Sequence, residues 1–492
     1  MAAMPQIDYP QSFCQGAVAR RDITPPVGIY HRMWGAATHD RSTGIHRPLS
    51  ATALALRASR ASSNSPHALK SSDTQVLVSI DHCLLWNEQM DALRAAVCRG
   101  ADLDPEQLQI TFSHTHAAGL MDPARAHLPG AELIAPYLEL LAERVAEAAR
   151  EAAQSLRPVR IVYGAGRCGL ARNRDFWDET SNQFVCGLNP DGQTDDTVLV
   201  ARIADERAQT VATVVNYACH PTTLAWDNSL VSPDFVGAMR ELVESTTGAP
   251  CVFLQGASGD LGPRHGFVGD VAVADRNGRE LAYSVLAALE ALPEPGLRFV
   301  YVGPVVSGAT IGTWDYTALS SDELSQKHLW RTKHFHVDLP YRTDLPTREE
   351  TESERARWQT EEQAADRRSD HPRARDCRAH AERMTRQLAR LRSLPSGKTL
   401  PLAVTVCQLG DSFWITLEGE HYNLLQRALR RRFKQQPVII ATLTNGWRPG
   451  YLPTAETYGK GIYQESIAIV APGSLELLIE AIGRQIETLS SD

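Results

Sequence analysis

The chain has 492 residues, 43% hydrophobic and 22% charged, a composition that excludes a wholly disordered or fibrous protein. At roughly 150 residues per domain it has room for two or three domains, or for one large domain with insertions. The net charge of -8 argues against nucleic acid or an anionic membrane as the main partner, since both reward a basic surface.

No run of about 18 or more apolar residues is present to span a bilayer. Met1–Val18 lacks the basic start and apolar core of a secretory leader. Nine dispersed cysteines, with no CxxC pair, read as reduced thiols. The expectation from these three features is a cytoplasmic protein.

In chain order, hydrophobic periodicity predicts alternating strands and helices. A strand over Gln75–Ile80 ends at Asp81, and a helix follows over Glu88–Val97. The strand Leu108–Ser113 runs directly into His114-Thr115-His116. A long amphipathic helix covers Leu133–Leu156 and stops at Pro158, before a strand over Val159–Tyr163. Strands Val198–Ile203 and Thr210–Tyr217 precede a helix over Phe235–Ser245, a strand Cys251–Leu254 and a helix Ala274–Leu292. Arg298–Val306, Leu402–Leu409, Phe413–Leu417 and Val438–Leu443 read as further strands, with helices over Asn423–Phe433 and Ser474–Leu489. No internal repeat is found.

One segment stands apart. Arg348–Arg392 is dense in charge and poor in aliphatic residues, with too few heptad positions for a coiled coil. It predicts a solvated helical hairpin over 345–395, broken at His371-Pro372 and inserted in a single domain over 1–492. A partner-docking or oligomer arm is the alternative.

Chemistry-bearing residues cluster where strands end, which is where open α/β sheets gather their ligands. Alternate residues of an extended chain share a face, so His114 and His116 can point together. Two imidazoles on one face suit zinc, or else are two satisfied histidines. His220 follows an apolar strand and precedes Pro221; a buried end is costly for an unpaired polar ring, and a ligand role would satisfy it. Gln255–Arg264 carries three glycines and predicts a turn whose N–H groups hold an anion or oxyanion, or an ordinary turn. Glu418 and Glu420 follow another strand, as carboxylate ligands or as solvent-facing groups, and Tyr451 follows the next, as a ligand or a packed aromatic. There is no GxSxG, HExxH or strand-linked GxGxxG.

The order of these motifs resembles the catalytic N-terminal domain of the neutral/alkaline non-lysosomal ceramidase family. The resemblance runs from Gly16–Pro25 to about Glu465. It includes Gly44-Ile45-His46, Val78–Asp81, Ser113–His116, Asn173-Arg174, His220-Pro221-Thr222, Gly259–Pro263, Glu418-Gly419-Glu420 and Tyr451–Thr454. It implies one zinc ion per chain, held by His114, His220, Glu420 and Tyr451, with Glu420 taken over Glu418 because it occupies the GE position. It further implies that His116, Arg174 and Tyr463 face the reacting amide, with Tyr458 as the packed competitor of Tyr463. Where the family has its catalytic serine, before the proline of the glycine turn, this chain has Gly262, and Ser258 does not take that place.

The expected fold is therefore α/β, a mixed-sheet ceramidase-like domain. The expected function is a zinc-dependent hydrolase that cleaves an amide, or an ester, with metal-activated water. His116 and Arg174 would stabilise the oxyanion, each donor contributing about 3 kcal/mol, and Asp260 or Glu418 would be the general base. The expected partner is a polar small-molecule substrate, since no apolar lid or membrane-binding module is visible. A homo-oligomer is left open, as are iron or manganese in place of zinc. The alternatives are a true ceramidase, a non-catalytic binding relative, and a lyase or transferase.

Overall fold

The computed structural model describes residues 5–59 and 73–491. Its framework is an eight-stranded mixed sheet. The strands are β1 (Gln11–Asp22), β2 (Ser50–Arg57), β3 (Thr74–Ile80), β4 (Leu108–Phe112), β5 (Arg157–Arg167), β6 (Thr197–Ala204), β7 (Thr210–Tyr217) and β8 (Cys251–Gln255). Their spatial order is β8-β7-β6-β5-β1-β2-β3-β4. Only the outer pairs, β3 with β4 and β7 with β8, are parallel.

Each parallel pair brackets a helix, because parallel neighbours need a crossover. Helix α1 (Asn87–Ala101) joins β3 to β4. Helix α3 (Phe235–Thr247) joins β7 to β8, after α2 (Ile134–Gln154). Local chemistry sets the α3 boundaries: the Asp234 carboxylate accepts the Phe235 N–H, and Gly248 ends the helix in a left-handed conformation. Helix α4 (Val271–Glu290) lies against α3; Gly278 allows the approach, since a Cβ there would meet the Phe235 carbonyl oxygen at 2.3 Å.

A second, four-stranded sheet is built from β9 (Trp330–Pro340), β10 (Thr399–Leu409), β11 (Ser412–Leu417) and β12 (Val438–Ala441), in that order. Between β9 and β10 the chain forms α5 (Arg348–Arg367) and α6 (His371–Arg392); after β11 come α7 (Leu424–Arg432) and finally α8 (Ser474–Ser491).

The two sheets pack face to face. Leu54, Ile161, Val214 and Leu254 of the larger sheet share one buried cluster with Leu409, Trp414 and Ile439 of the smaller. The outer face of β2–β4 is covered by α1 and α2, and that of β5–β8 by α3 and α4. The free face of the smaller sheet is covered by α7 and α8. The result is a four-layer helix–sheet–sheet–helix architecture, each layer burying one apolar face. The larger sheet is strongly curled, so that the Ser79 hydroxyl of β3 donates to the Phe253 carbonyl of β8 at 2.6 Å. This curl brings the ends of β4 and β7 to the same place.

The fold is the mixed-sheet α/β class that the sequence predicts, and three of the twelve strands in these two sheets are additions to that prediction. β1, β2 and β9 are absent from the sequence reading: Ala-Thr-Ala-Leu-Ala-Leu within β2 carries no period-two alternation, and β1 ends in a charged Arg20-Arg21-Asp22 run. The charged segment is two helices, opened by a Thr347–Glu350 capping box and restarted at Asp370, with Pro372 in the first turn of α6. It is not a solvated hairpin throughout. α6 lies on the body of the protein: Arg386 donates to the Met33 carbonyl, Arg378 pairs with Asp40, and Ala379 packs where a Gly35 Cβ would be.

Candidate metal centre

Four donors converge at the carboxyl ends of strands from both sheets. His114 follows β4, His220 follows β7, Glu420 follows β11, and Tyr451 follows β12 across a turn. Glu420-His421 and Tyr451-Leu452 pair as a short parallel ladder, which fixes the last two donors relative to each other.

His114 takes a left-handed backbone conformation, φ +69°, which is strained for a bulky residue. The turn after β3 holds it there: the His114 N–H donates to the His82 carbonyl at 2.9 Å, and its ring Nδ1 lies 2.7 Å from the Cys83 carbonyl. His220 is held alike, with its N–H on the Leu261 carbonyl at 3.1 Å and its Nδ1 2.9 Å from the Ser258 carbonyl. A carbonyl oxygen only accepts, so both Nδ1 atoms carry the proton, and both Nε2 atoms present lone pairs inward.

The inward atoms crowd together. His114 Nε2 lies 3.0 Å from His220 Nε2 and 3.1 Å from Glu420 Oε2. His220 Nε2 lies 3.0 Å from Glu420 Oε2 and 3.3 Å from the Tyr451 hydroxyl. All four side chains are buried. Two lone pairs and a carboxylate oxygen at such spacings repel unless a cation sits among them. A proton on His114 Nε2 can serve that purpose, and so can a metal ion. The spacing fits the second: a tetrahedral ion with bonds of about 2.0–2.2 Å separates its ligands by roughly 3.3–3.6 Å, so the cluster needs to open by only a few tenths of an ångström. Two imidazoles, a carboxylate and a phenol oxygen are a donor set that zinc accepts.

Neighbouring groups orient these donors, as metal sites require. Besides the two carbonyls, the Trp447 indole N–H donates to Glu420 Oε1 at 2.6 Å, which turns Oε2 inward. Burial, followed by the Arg174 charge and His114, drives the His220 pKa down to about 3, so its ring is neutral. Burial and the two adjacent imidazoles hold His116 well below the usual histidine value as well. A second grouping of Cys83, His114 and His116 also exists. It would need the His114 Nδ1 lone pair, which the Cys83 carbonyl has already taken out of use.

The other expected residues divide in two. His116, Arg174 and Tyr463 lie beside the donors. The His116 ring is 5.0 Å from His114 and 5.1 Å from Trp34, and its Nε2 is buried without a partner among the described residues. Arg174 is buried; it donates to the Gly259 carbonyl at 2.7 Å and to the Tyr451 hydroxyl at 3.1 Å. The Tyr463 ring stands 6.0 Å from Tyr451, edge on, and its 45% exposure marks where the site meets solvent.

Asp260, Glu418 and Tyr458 point elsewhere. Burial lifts the Asp260 pKa to about 7, suitable for a base, but both its oxygens are taken by Asn423, one by the backbone N–H at 2.7 Å and one by the side-chain amide. Geometry comes before pKa in choosing a base, and Asp260 instead pins the start of α7. Glu418 pairs with Arg448 at 2.8 Å, and the Tyr458 hydroxyl donates to the Val470 carbonyl. Gly262 has space: a Cβ there would meet nothing closer than 3.8 Å.

The sequence analysis gave no role to Trp447, Trp34 or Cys83, and weighed Ser258 only against the family's serine, not for its carbonyl. Trp447 had a signal, a tryptophan in a Gly/Pro-rich strand-end loop. The two carbonyls had none, because a backbone acceptor is independent of side-chain identity.

No protein-family model matches the chain, and no curated protein matches it. Solved structures do. The neutral ceramidase from Pseudomonas aeruginosa superposes with a TM-score of 0.63 at 16% identity, over 97% of this chain and 74% of that one. A ceramidase complexed with C2 gives 0.62 at 14% identity, over the same shares. At this identity the likeness shows the fold, which is ceramidase-like.

Proposed function

We propose that the protein is a zinc-dependent hydrolase of an amide, or secondarily an ester, bond, and that its substrate is a small polar molecule rather than ceramide. The observation that carries this reading is the convergence of His114 Nε2, His220 Nε2 and Glu420 Oε2 within 3.1 Å of one another, with both Nδ1 atoms tied to carbonyls. When bound there by His114, His220, Glu420 and Tyr451, zinc supplies Lewis acidity that polarises a carbonyl and makes water nucleophilic near neutral pH.

The chain's own groups do the rest. Arg174 is fixed by three hydrogen bonds, to Gly259 and Tyr451, so its charge is preorganised where negative charge develops on a carbonyl oxygen. His116 is neutral and half-buried, and its Nε2 has no partner among the described residues, so it can hydrogen-bond the substrate carbonyl or hold a proton without first breaking an internal bond. Trp34, whose ring lies tilted at 35° against His116, covers that side. A hydroxyl at residue 262 is not needed for this chemistry. The ceramidase-like fold supports a hydrolase; the absence of a side chain at Gly262 favours a substrate other than ceramide.

The test is elemental analysis of purified wild type beside His114→Ala and His220→Ala. About one zinc per chain, lost in both variants with the fold intact by circular dichroism, is the expected result, followed by zinc-dependent turnover in an amide and ester screen. Variants that stay folded and keep both metal and activity would overturn the assignment.

A further inference from the structure

This inference rests on the hydrolase reading above and names the substrate class. Arg390 of α6 is 4% exposed, yet no carboxylate pairs with it among the described residues. Its Nε and Nη2 both donate to the same neutral acceptor, Gln387 Oε1, and its guanidinium lies 5.6 Å from the centre of the Trp447 ring. Trp447 is the residue that orients Glu420. A buried guanidinium with no counter-ion is expensive and calls for a partner.

Arg386, one turn earlier, is half-buried and lies beside Arg390 on the same helix face. Glu382 accepts from Arg386 at 2.8 Å and also from Arg125 at 2.6 Å, whose other guanidinium nitrogen pairs with Asp122. Burial raises the Tyr463 pKa, and the charges of Arg386, Arg390 and Arg174 oppose that rise while Glu420 adds to it. Tyr463 is the exposed edge of the site. The side of the site beside Tyr463 thus faces three guanidiniums, two of them from the inserted hairpin, and one of these, Arg390, has no carboxylate partner among the described residues.

We infer that Arg386 and Arg390 form an anion subsite at the edge of the metal centre, and that the natural substrate is an amide bearing a carboxylate near the scissile bond. A planar guanidinium takes a carboxylate through two parallel hydrogen bonds, which gives both affinity and orientation. An anion there satisfies Arg390 and places the amide between Tyr463 and the four donors. The same subsite disfavours a long uncharged lipid amide, which would leave the cation buried and unpaired.

The test measures binding rather than turnover. Zinc-loaded protein is titrated calorimetrically with alkyl monohydroxamates and with their ω-carboxylated counterparts, from the succinic to the suberic chain length. At one chain length the carboxylated probe should bind at least about tenfold tighter than its uncharged partner. That ratio should collapse toward one in Arg390→Gln and in Arg386→Gln, and survive in part in Arg390→Lys. Arg386 is half-buried, so Arg386→Gln decides the matter if Arg390→Gln fails to fold. Equal affinities at every chain length, or a preference that persists in both Gln variants, would overturn the subsite while leaving the metal centre standing. If neither series binds, the metal-centre reading falls, and the subsite with it.

Discussion

Trp447→Phe isolates how far the candidate metal centre depends on a single orienting hydrogen bond. The substitution keeps a ring against Trp86, whose centroid is 5.8 Å away, and against Arg390, while deleting the N–H that holds Glu420 Oε1 at 2.6 Å. A hydrogen bond to a charged acceptor contributes about 1.5–3 kcal/mol. Loss of an outer partner of a ligand typically costs about 10–100-fold in metal affinity, which is about 1.4–2.8 kcal/mol and agrees with that range. Zinc affinity is read by competition against a chromophoric chelator near neutral pH, with near-ultraviolet circular dichroism as the check on packing. Trp86→Phe is the control, because the Trp86 indole nitrogen is buried with no partner among the described residues and should leave the affinity unchanged. A folded Trp447→Phe variant within twofold of wild type would refute the claim that Trp447 sets the carboxylate's orientation.

Glu420→Gln should lose zinc on dialysis while Glu418→Gln keeps it, since Glu418 faces Arg448; elemental analysis distinguishes them. Asp81→Asn should destabilise the fold by about 3–5 kcal/mol in urea unfolding at pH 7, because it breaks a buried pair with Arg240 at 2.7 Å. Burial alone would raise the Asp81 pKa, but Arg240 and Ser50 outweigh it and hold the group below its usual value. Its contribution is therefore present above the unfolded value of about 3.9, and the gap between wild type and variant should narrow as pH falls through the lower folded value. Gly262→Ser should be tolerated within about 1 kcal/mol, since its Cβ makes only ordinary contacts, whereas Gly278→Ala should cost about 1–3 kcal/mol by pushing α3 from α4. Chemical denaturation of the pair tests both.

The four converging side chains were legible because their signals are local. A histidine at a strand end is visible as an apolar run followed by His, and β4 and β7 have that form. The strands that carry the sheet's centre were less legible. β1 and β2 are flanked on both sides, so neither shows the alternation of a half-solvated strand, and Ala/Leu-rich β2 has no β-branched signal beyond Thr52. The roles of Asp260 and Glu418 were hidden for another reason. Each is a carboxylate near the glycine turn or the GE turn, and only three-dimensional placement reveals that Asn423 and Arg448 claim them. The hairpin's charge density read as solvation. Part of that charge instead turns inward, and a composition count does not separate an arginine facing water from one facing Trp447.

The origin of the four donors has a consequence for stability. His114 and His220 belong to the eight-stranded sheet, and Glu420 and Tyr451 to segments that extend the four-stranded one. Metal binding at this point would tie the two sheets together across their shared core. An unfolded chain has the four donors far apart, at positions 114, 220, 420 and 451, and binds the ion poorly as a set. Zinc should therefore stabilise the native state by about 4 kcal/mol at a free concentration a thousandfold above its dissociation constant. Thermal unfolding with and without zinc should show an upward shift in wild type and none in His220→Ala. The shift should grow by a constant increment for each tenfold rise in zinc, as mass action requires. An equal shift in His220→Ala would mean that zinc stabilises the protein from another place, and that the four converging side chains are held by their shared proton alone.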